Sequence, residues 1–159
     1  MSEVSEIDEA EWALWNEFVV MHHELTRELD RRLQRDAGIS QSDYAVMLAL
    51  FTAPDRRLRP GELGETIVWE KSRLSHQLTR MAARGLVERV ECDTDARGTW
   101  IVLTRAGRRA LLGAMRDHAT AIRTLFFDVL EPHEKQAIAD ASSRVLERLR
   151  ESSALEAAG

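Results

Sequence analysis

The chain has 159 residues, 44% of them hydrophobic, which is one domain's worth of sequence with enough apolar material for a packed core, so disorder is not its default. Its formal net charge of −5 argues against a general affinity for polyanions, no apolar run approaches the ~18 residues that span a bilayer, and the acidic start MSEVSEIDEAEW is unlike a signal peptide, so a soluble, cytoplasmic protein is expected. A single cysteine, Cys92, excludes an internal disulfide framework, and neither CxxC nor Cys/His finger spacing occurs.

The first predicted helix runs from Ile7 to Ala37, with Trp12, Trp15, Val19, His22, Leu29 and Leu33 on one stripe and Gly38 just past its end. Ser40-Gln41-Ser42-Asp43 has the capping-box pattern for a second helix, whose buried face is Tyr44, Met47, Leu48 and Phe51 and which Pro54 ends. Pro60 suits the first turn of a short third helix carrying Leu63 and Ile67. A fourth helix follows over about 70–84 and stops at Gly85. LVERVEC then reads as a strand, with Leu86, Val90 and Cys92 alternating against Val87, Arg89 and Glu91, and TWIVL from Thr99 to Leu103 as its hairpin partner across the polar turn DTDARG. Thr104 caps a long helix through Leu112, Met115, Ile122, Phe126 and Val129, and Glu131-Pro132 separates it from a last helix with Ile138, Val145 and Leu149. The fold class is mainly α with a small β-hairpin (α+β), in the order α-α-(α-α-β-β)-α-α.

The charge is segregated. Between Asp55 and Ala110 there are 12 Lys+Arg against 8 Asp+Glu, a net of +4, and the remainder of the chain carries −9. A basic centre between acidic arms points to an anionic partner for that centre. Within it, WEKSRLSHQLTRMAARGLVER gathers Lys71, Ser72, Arg73, Ser75, His76, Gln77, Arg80 and Arg84 into little more than three helical turns. Helical spacing sets Leu74, Leu78 and Met81 on one side and Arg73, Gln77, Arg80 and Arg84 on the other, with Ser72 and His76 beside them. Solvated helix faces usually interleave Glu with Lys, whereas Glu70 is the one carboxylate in this helix. A short helix, a turn, such a helix and a hairpin follow the winged helix-turn-helix order, in which the second helix enters the major groove. Arg and Gln reach guanine and adenine edges bidentately, while Ser, Lys and His suit phosphate or single-bond contacts.

Over Glu11 to Arg150 the sequence resembles the MarR family of winged-helix transcription regulators. The resemblance is carried by LRPGELGETI before the turn, EKSRLSHQLTRMAARGLVER for the recognition helix, and DTDARGTWIVLTRAG for the wing and the helix after it. It implies a single domain in which 40–104 form the DNA-binding lobe, with the wing at about 86–103, while 7–37 and 105–150 supply dimerisation helices. It further implies a wing arginine, Arg97, in the minor groove, and an aspartate, Asp95, that positions the wing; a narrow minor groove concentrates the negative potential a guanidinium seeks. The sequence departs from the family's pattern at Ala96, where many members have a second arginine, and at Val68-Trp69, where a glycine is usual. The implied function is a homodimeric repressor of double-stranded DNA, released by a small aromatic or anionic effector. The residues able to line the effector cleft are Trp15, His22, Tyr44, Met47, Met115 and His118, most pairing an apolar body with a polar tip.

Other chemistry finds little support. Cys92 reads as a strand residue without a sensing role, the five histidines lack ligand spacing, and a metal site would need helices to bring together residues such as His22, Glu24 and His118. No glycine-rich phosphate loop, nucleophile elbow or acid pair marks an enzyme, and no cofactor is expected. The alternative of another class is a winged-helix protein-interaction or architectural module, which would show apolar anchors where this chain has Arg73, Gln77, Arg80 and Arg97.

Overall fold

Asp8 opens the first helix, α1 (Glu9–Ala37), two residues later than the apolar pattern begins. Its carboxylate accepts the Glu11 N–H at 2.8 Å, and the Glu11 carboxylate accepts the Asp8 N–H at 3.0 Å. A computed structural model describes residues 7–92 and 95–157, with the side chains of 92, 95–97 and 156–157 outside that description. Gly38, at φ +66°, closes α1 in the left-handed conformation. Ser40 and Asp43 form the expected reciprocal cap of α2 (Gln41–Thr52), with Asp43 N–H to Ser40 Oγ at 3.0 Å and Ser40 N–H to the Asp43 carboxylate at 2.8 Å.

A two-residue strand then intervenes that the sequence reading lacks, β1 (Arg57–Leu58), too short for any alternation to register. Beyond it lie α3 (Pro60–Ile67), α4 (Lys71–Ala83), β2 (Val87–Cys92), β3 (Asp95–Leu103), α5 (Arg105–Leu125), a 3-10 turn (Phe127–Val129) and α6 (Pro132–Ala157). The hairpin thus becomes an antiparallel sheet in the order β1-β3-β2, with Leu58 opposite Ile101 and Val87 opposite Leu103. The alternation expected for β2 is not seen: Leu86 and Val87 are both buried at its base, and Glu88 to Glu91 beyond them are all exposed.

The exit of α4 is a Schellman turn, with the Gly85 N–H on the Ala82 carbonyl (2.9 Å), the Leu86 N–H on the Met81 carbonyl (3.0 Å), and Gly85 at φ +69°. Thr104 ties this exit to α5. Its hydroxyl donates to the Gly85 carbonyl (2.6 Å) and accepts the Gly107 N–H (2.9 Å). A Cβ at position 107 would fall 2.0 Å from the Leu86 carbonyl oxygen, so the LTxxG spacing is a steric requirement of this joint.

The core takes Leu33 from α1, Val46, Met47 and Leu50 from α2, Leu63 from α3, Leu74, Leu78 and Met81 from α4, Val87 and Ile101 from the sheet, and Leu111 from α5. Each fully buried aliphatic of this kind contributes about 1.5–3 kcal/mol. The stripe on α1 divides. Leu29 and Leu33 are buried, Val19 is half-buried, and Trp12, Trp15 and His22 are exposed. Packing divides the chain into two compact units, one up to Ala119 and one from Thr120 onward. In the second unit every described side chain of α6 is exposed, Ile138, Val145 and Leu149 included. No helix among the described residues is long and apolar enough to cross a membrane.

Candidate nucleic-acid interface

Helix α4 buries Leu74, Leu78 and Met81 against the core and leaves Lys71, Ser72, Arg73, Ser75, His76 and Arg80 exposed. Arg73 sets its guanidinium carbon 4.0 Å from the centroid of the Trp69 ring, a cation–π contact that narrows the conformational freedom of an otherwise exposed side chain. The turn that presents α4 is tight. Val68 is left-handed at φ +56°, where the family resemblance favours glycine, and a Cβ on Gly64 would meet the Trp69 carbonyl oxygen at 3.2 Å.

Two expected contact residues are placed otherwise. Gln77 is buried, because it completes the Leu74, Leu78, Met81 stripe at i, i+3, i+4 and i+7 rather than opposing it; its Nε2 donates to Asp43 Oδ1 at 2.7 Å, and its Oε1 accepts from Arg80 at 2.5 Å. Arg84, at the C-terminal cap, is drawn inward by the same carboxylate. Its Nη1 meets Asp43 Oδ2 at 2.6 Å and its Nη2 donates to the Gly38 carbonyl at 2.7 Å. Asp95 and Arg97 lie on β3 by backbone, and their side chains, like that of Cys92, fall outside the described residues. Arg89, read only as a strand residue, lines a cleft of about 870 Å³ with Lys71 and Ser75. The available signal was its spacing: two residues beyond buried Val87, it shares that residue's strand face.

The six residues proposed for an effector cleft do not assemble within the chain. Met47 is fully buried core, and Met115 packs against that core. Trp15 and His22 are exposed on α1, in ring contact with Phe18 and His23 respectively. Tyr44 and His118 do meet, with ring centroids 4.4 Å apart. Burial raises the Tyr44 pKa and lowers that of His118, which favours the neutral form of each ring, and His118 Nδ1 is buried without a hydrogen-bond partner. Among the described residues no group of three or more His, Cys, Asp or Glu side chains is placed to hold a metal ion.

A short helix, a tight turn, a cationic helix and a hairpin edged by a third strand define a winged helix-turn-helix protein. The family model for MarR matches residues 37–98. The structure is similar to AbsC, a MarR family transcriptional regulator from Streptomyces coelicolor, with 31% identity, a TM-score of 0.85, and coverage of 92% of this chain and 99% of that one. It is also similar to Sco3205, a MarR family transcriptional regulator from the same organism solved in complex with DNA, with 33% identity, a TM-score of 0.87, and coverage of 94% and 93%. The organohalide-sensing regulator RdhR-CbdbA1625, solved in its 2,4-dichlorophenol-bound form, shares the fold at 17% identity and a TM-score of 0.79, over 93% of this chain and 89% of that one. No curated protein sequence matches. The chain belongs to the MarR family of transcriptional regulators.

Proposed function

We propose that the protein is a homodimeric repressor that reads a pseudo-palindromic operator with α4 and is released by a small aromatic or anionic effector. The observation that carries this reading is the exposed face of α4, cationic and free of carboxylates in a chain whose net charge is −5. In this role Arg73 reads a base edge, Lys71, Ser72, Ser75, His76 and Arg80 take phosphates or single bonds, and Arg97, positioned by Asp95, enters the flanking minor groove. The DNA complex of Sco3205 supports a duplex as partner.

Dimerisation draws on apolar surface left open in each unit: Trp12, Leu14, Trp15 and Phe18 on α1, and Val145, Leu146 and Leu149 on α6. For the effector we retain the Tyr44–His118 corner, where the unpartnered Nδ1 offers a buried polar contact; the ligand-bound form of RdhR-CbdbA1625 supports an effector for this fold.

The test is a mobility-shift titration over a range of salt, on a duplex that the protein itself selects from a random-sequence library. About 6–10 neutralised phosphates give a log–log slope of about −5 to −9, and Arg73→Ala costs about 1–3 kcal/mol while relaxing preference at particular base positions. A slope near zero removes the DNA reading.

A further inference from the structure

The group that organises the recognition helix is not on it. Asp43, on α2, is 1% exposed and accepts three hydrogen bonds: the Ser40 N–H at 2.8 Å, Gln77 Nε2 at 2.7 Å and Arg84 Nη1 at 2.6 Å. The first caps α2, and the other two come from α4, one from its middle and one from its end. Arg84 carries the connection on to the Gly38 carbonyl at the close of α1, and Gln77 Oε1, the side-chain amide oxygen, accepts from Arg80 at 2.5 Å.

We infer that Asp43 is the positioning residue of the DNA-reading surface: its buried carboxylate fixes the rotation and depth of α4 against α2 and, through Gln77, aims the Arg80 guanidinium. The inference rests on the proposed DNA function. It follows from the chemistry of the donor set. All three partners present N–H groups, so only a group that accepts on both oxygens satisfies them. The Gln77 amide is likewise held in one orientation, because reversing it would set its oxygen against a carboxylate and its NH2 against a guanidinium. α4 therefore has one well-defined pose, set from 34 and 41 residues upstream. A pre-set pose improves contacts that demand geometry, such as base edges, and matters much less for contacts that demand only charge.

That distinction supplies the test. The parent, Asp43→Asn and Arg84→Gln are titrated with the selected duplex and with a scrambled duplex of equal length, well below each protein's melting temperature. Asp43→Asn keeps the shape but turns an NH2 toward one of the three donors. The expected result is a fall of about tenfold or more in the ratio of specific to non-specific affinity, with non-specific affinity held within about threefold. A lowered melting temperature with an unchanged ratio overturns the inference, since a merely stabilising contact would act that way. If Asp43→Asn does not fold, Arg84→Gln decides alone, because its half-exposed side chain is the outer tie of the network. A reduced ratio at unchanged salt slope supports the positioning role. Equal losses on both duplexes, with the slope smaller by about one, make Arg84 a phosphate contact and overturn its part in positioning. A parent that prefers no duplex refutes the DNA function itself, which is a different outcome from a parent and variants that discriminate equally well.

Discussion

Val68 holds a β-branched side chain at φ +56° in the turn before α4, a conformation that costs an L-residue about 1–2 kcal/mol. The side chain is 88% exposed and so recovers little by packing. Val68→Gly should therefore stabilise the fold by about 0.5–1 kcal/mol once the greater freedom of glycine in the unfolded chain is subtracted, measured by urea unfolding. No gain would show that the turn is relaxed with valine in place. His118 gives a pH signature. Burial lowers its pKa below the ordinary value of 6.5, so the unfolded chain binds the proton that the folded chain refuses. The stability that His118 contributes is whole at pH above about 6.5 and declines as the pH falls below it. Unfolding measured at about pH 7.5 and 5.5 should show a smaller acid loss in His118→Gln than in the parent; equal losses would place the titrating group elsewhere. At this scale the sequence was legible wherever the cause was local. Gly38, Gly85 and the Ser40–Asp43 cap each act within a few residues of themselves. Gln77 was not, because amide and carboxylate met only through a tertiary contact 34 residues long, although its place on the apolar stripe of α4 was there to be read.

Among the elements, the five long helices and the hairpin were legible from apolar spacing and punctuation, whereas β1 was not, since two residues carry no period. Its pairing belongs to β3, whose residues Val102 and Ile101 face Arg57 and Leu58. Periodicity likewise gave the stripe on α1 but not what covers each end of it. Leu29 and Leu33 meet this chain's own core, while Trp15 and Phe18 remain 57% and 54% exposed; on α6, Leu149 is 57% exposed. If these faces meet a second copy, Trp15→Glu and Leu149→Glu, each forcing a charge into apolar surroundings, should convert dimer to monomer in sedimentation equilibrium with helix content retained. Variants that stay dimeric would place the contact on other residues.

Over the molecule as a whole, the segregation of charge gave the clearest functional signal. A net of +4 between Asp55 and Ala110 against −9 elsewhere survives in the structure as a helix, α4, without carboxylates on its open face. What the charge pattern could not separate was cations that face outward from cations already committed, and Arg84, tied to Asp43 and Gly38, belongs to the second kind. The expectation of an effector cleft was harder to draw from sequence for a related reason. Choosing side chains with an apolar body and a polar tip selects core residues such as Met47 along with candidates such as Tyr44, and only packing tells them apart. The cation of Arg73, 4.0 Å from the Trp69 ring centroid, acts on that ring's light emission. An excited indole responds to a cation against its face, so the turn before α4 holds a chromophoric reporter of where Arg73 lies. With Trp12, Trp15 and Trp100 replaced by phenylalanine, Trp69 is the sole emitter of the four tryptophans. If, as proposed, a duplex draws the guanidinium away to a base edge, the ring loses its cation, and the emission should shift in step with occupancy, reaching its plateau when the duplex is saturating. Constant emission through saturation would mean that Arg73 stays on the ring while DNA is bound and reads no base.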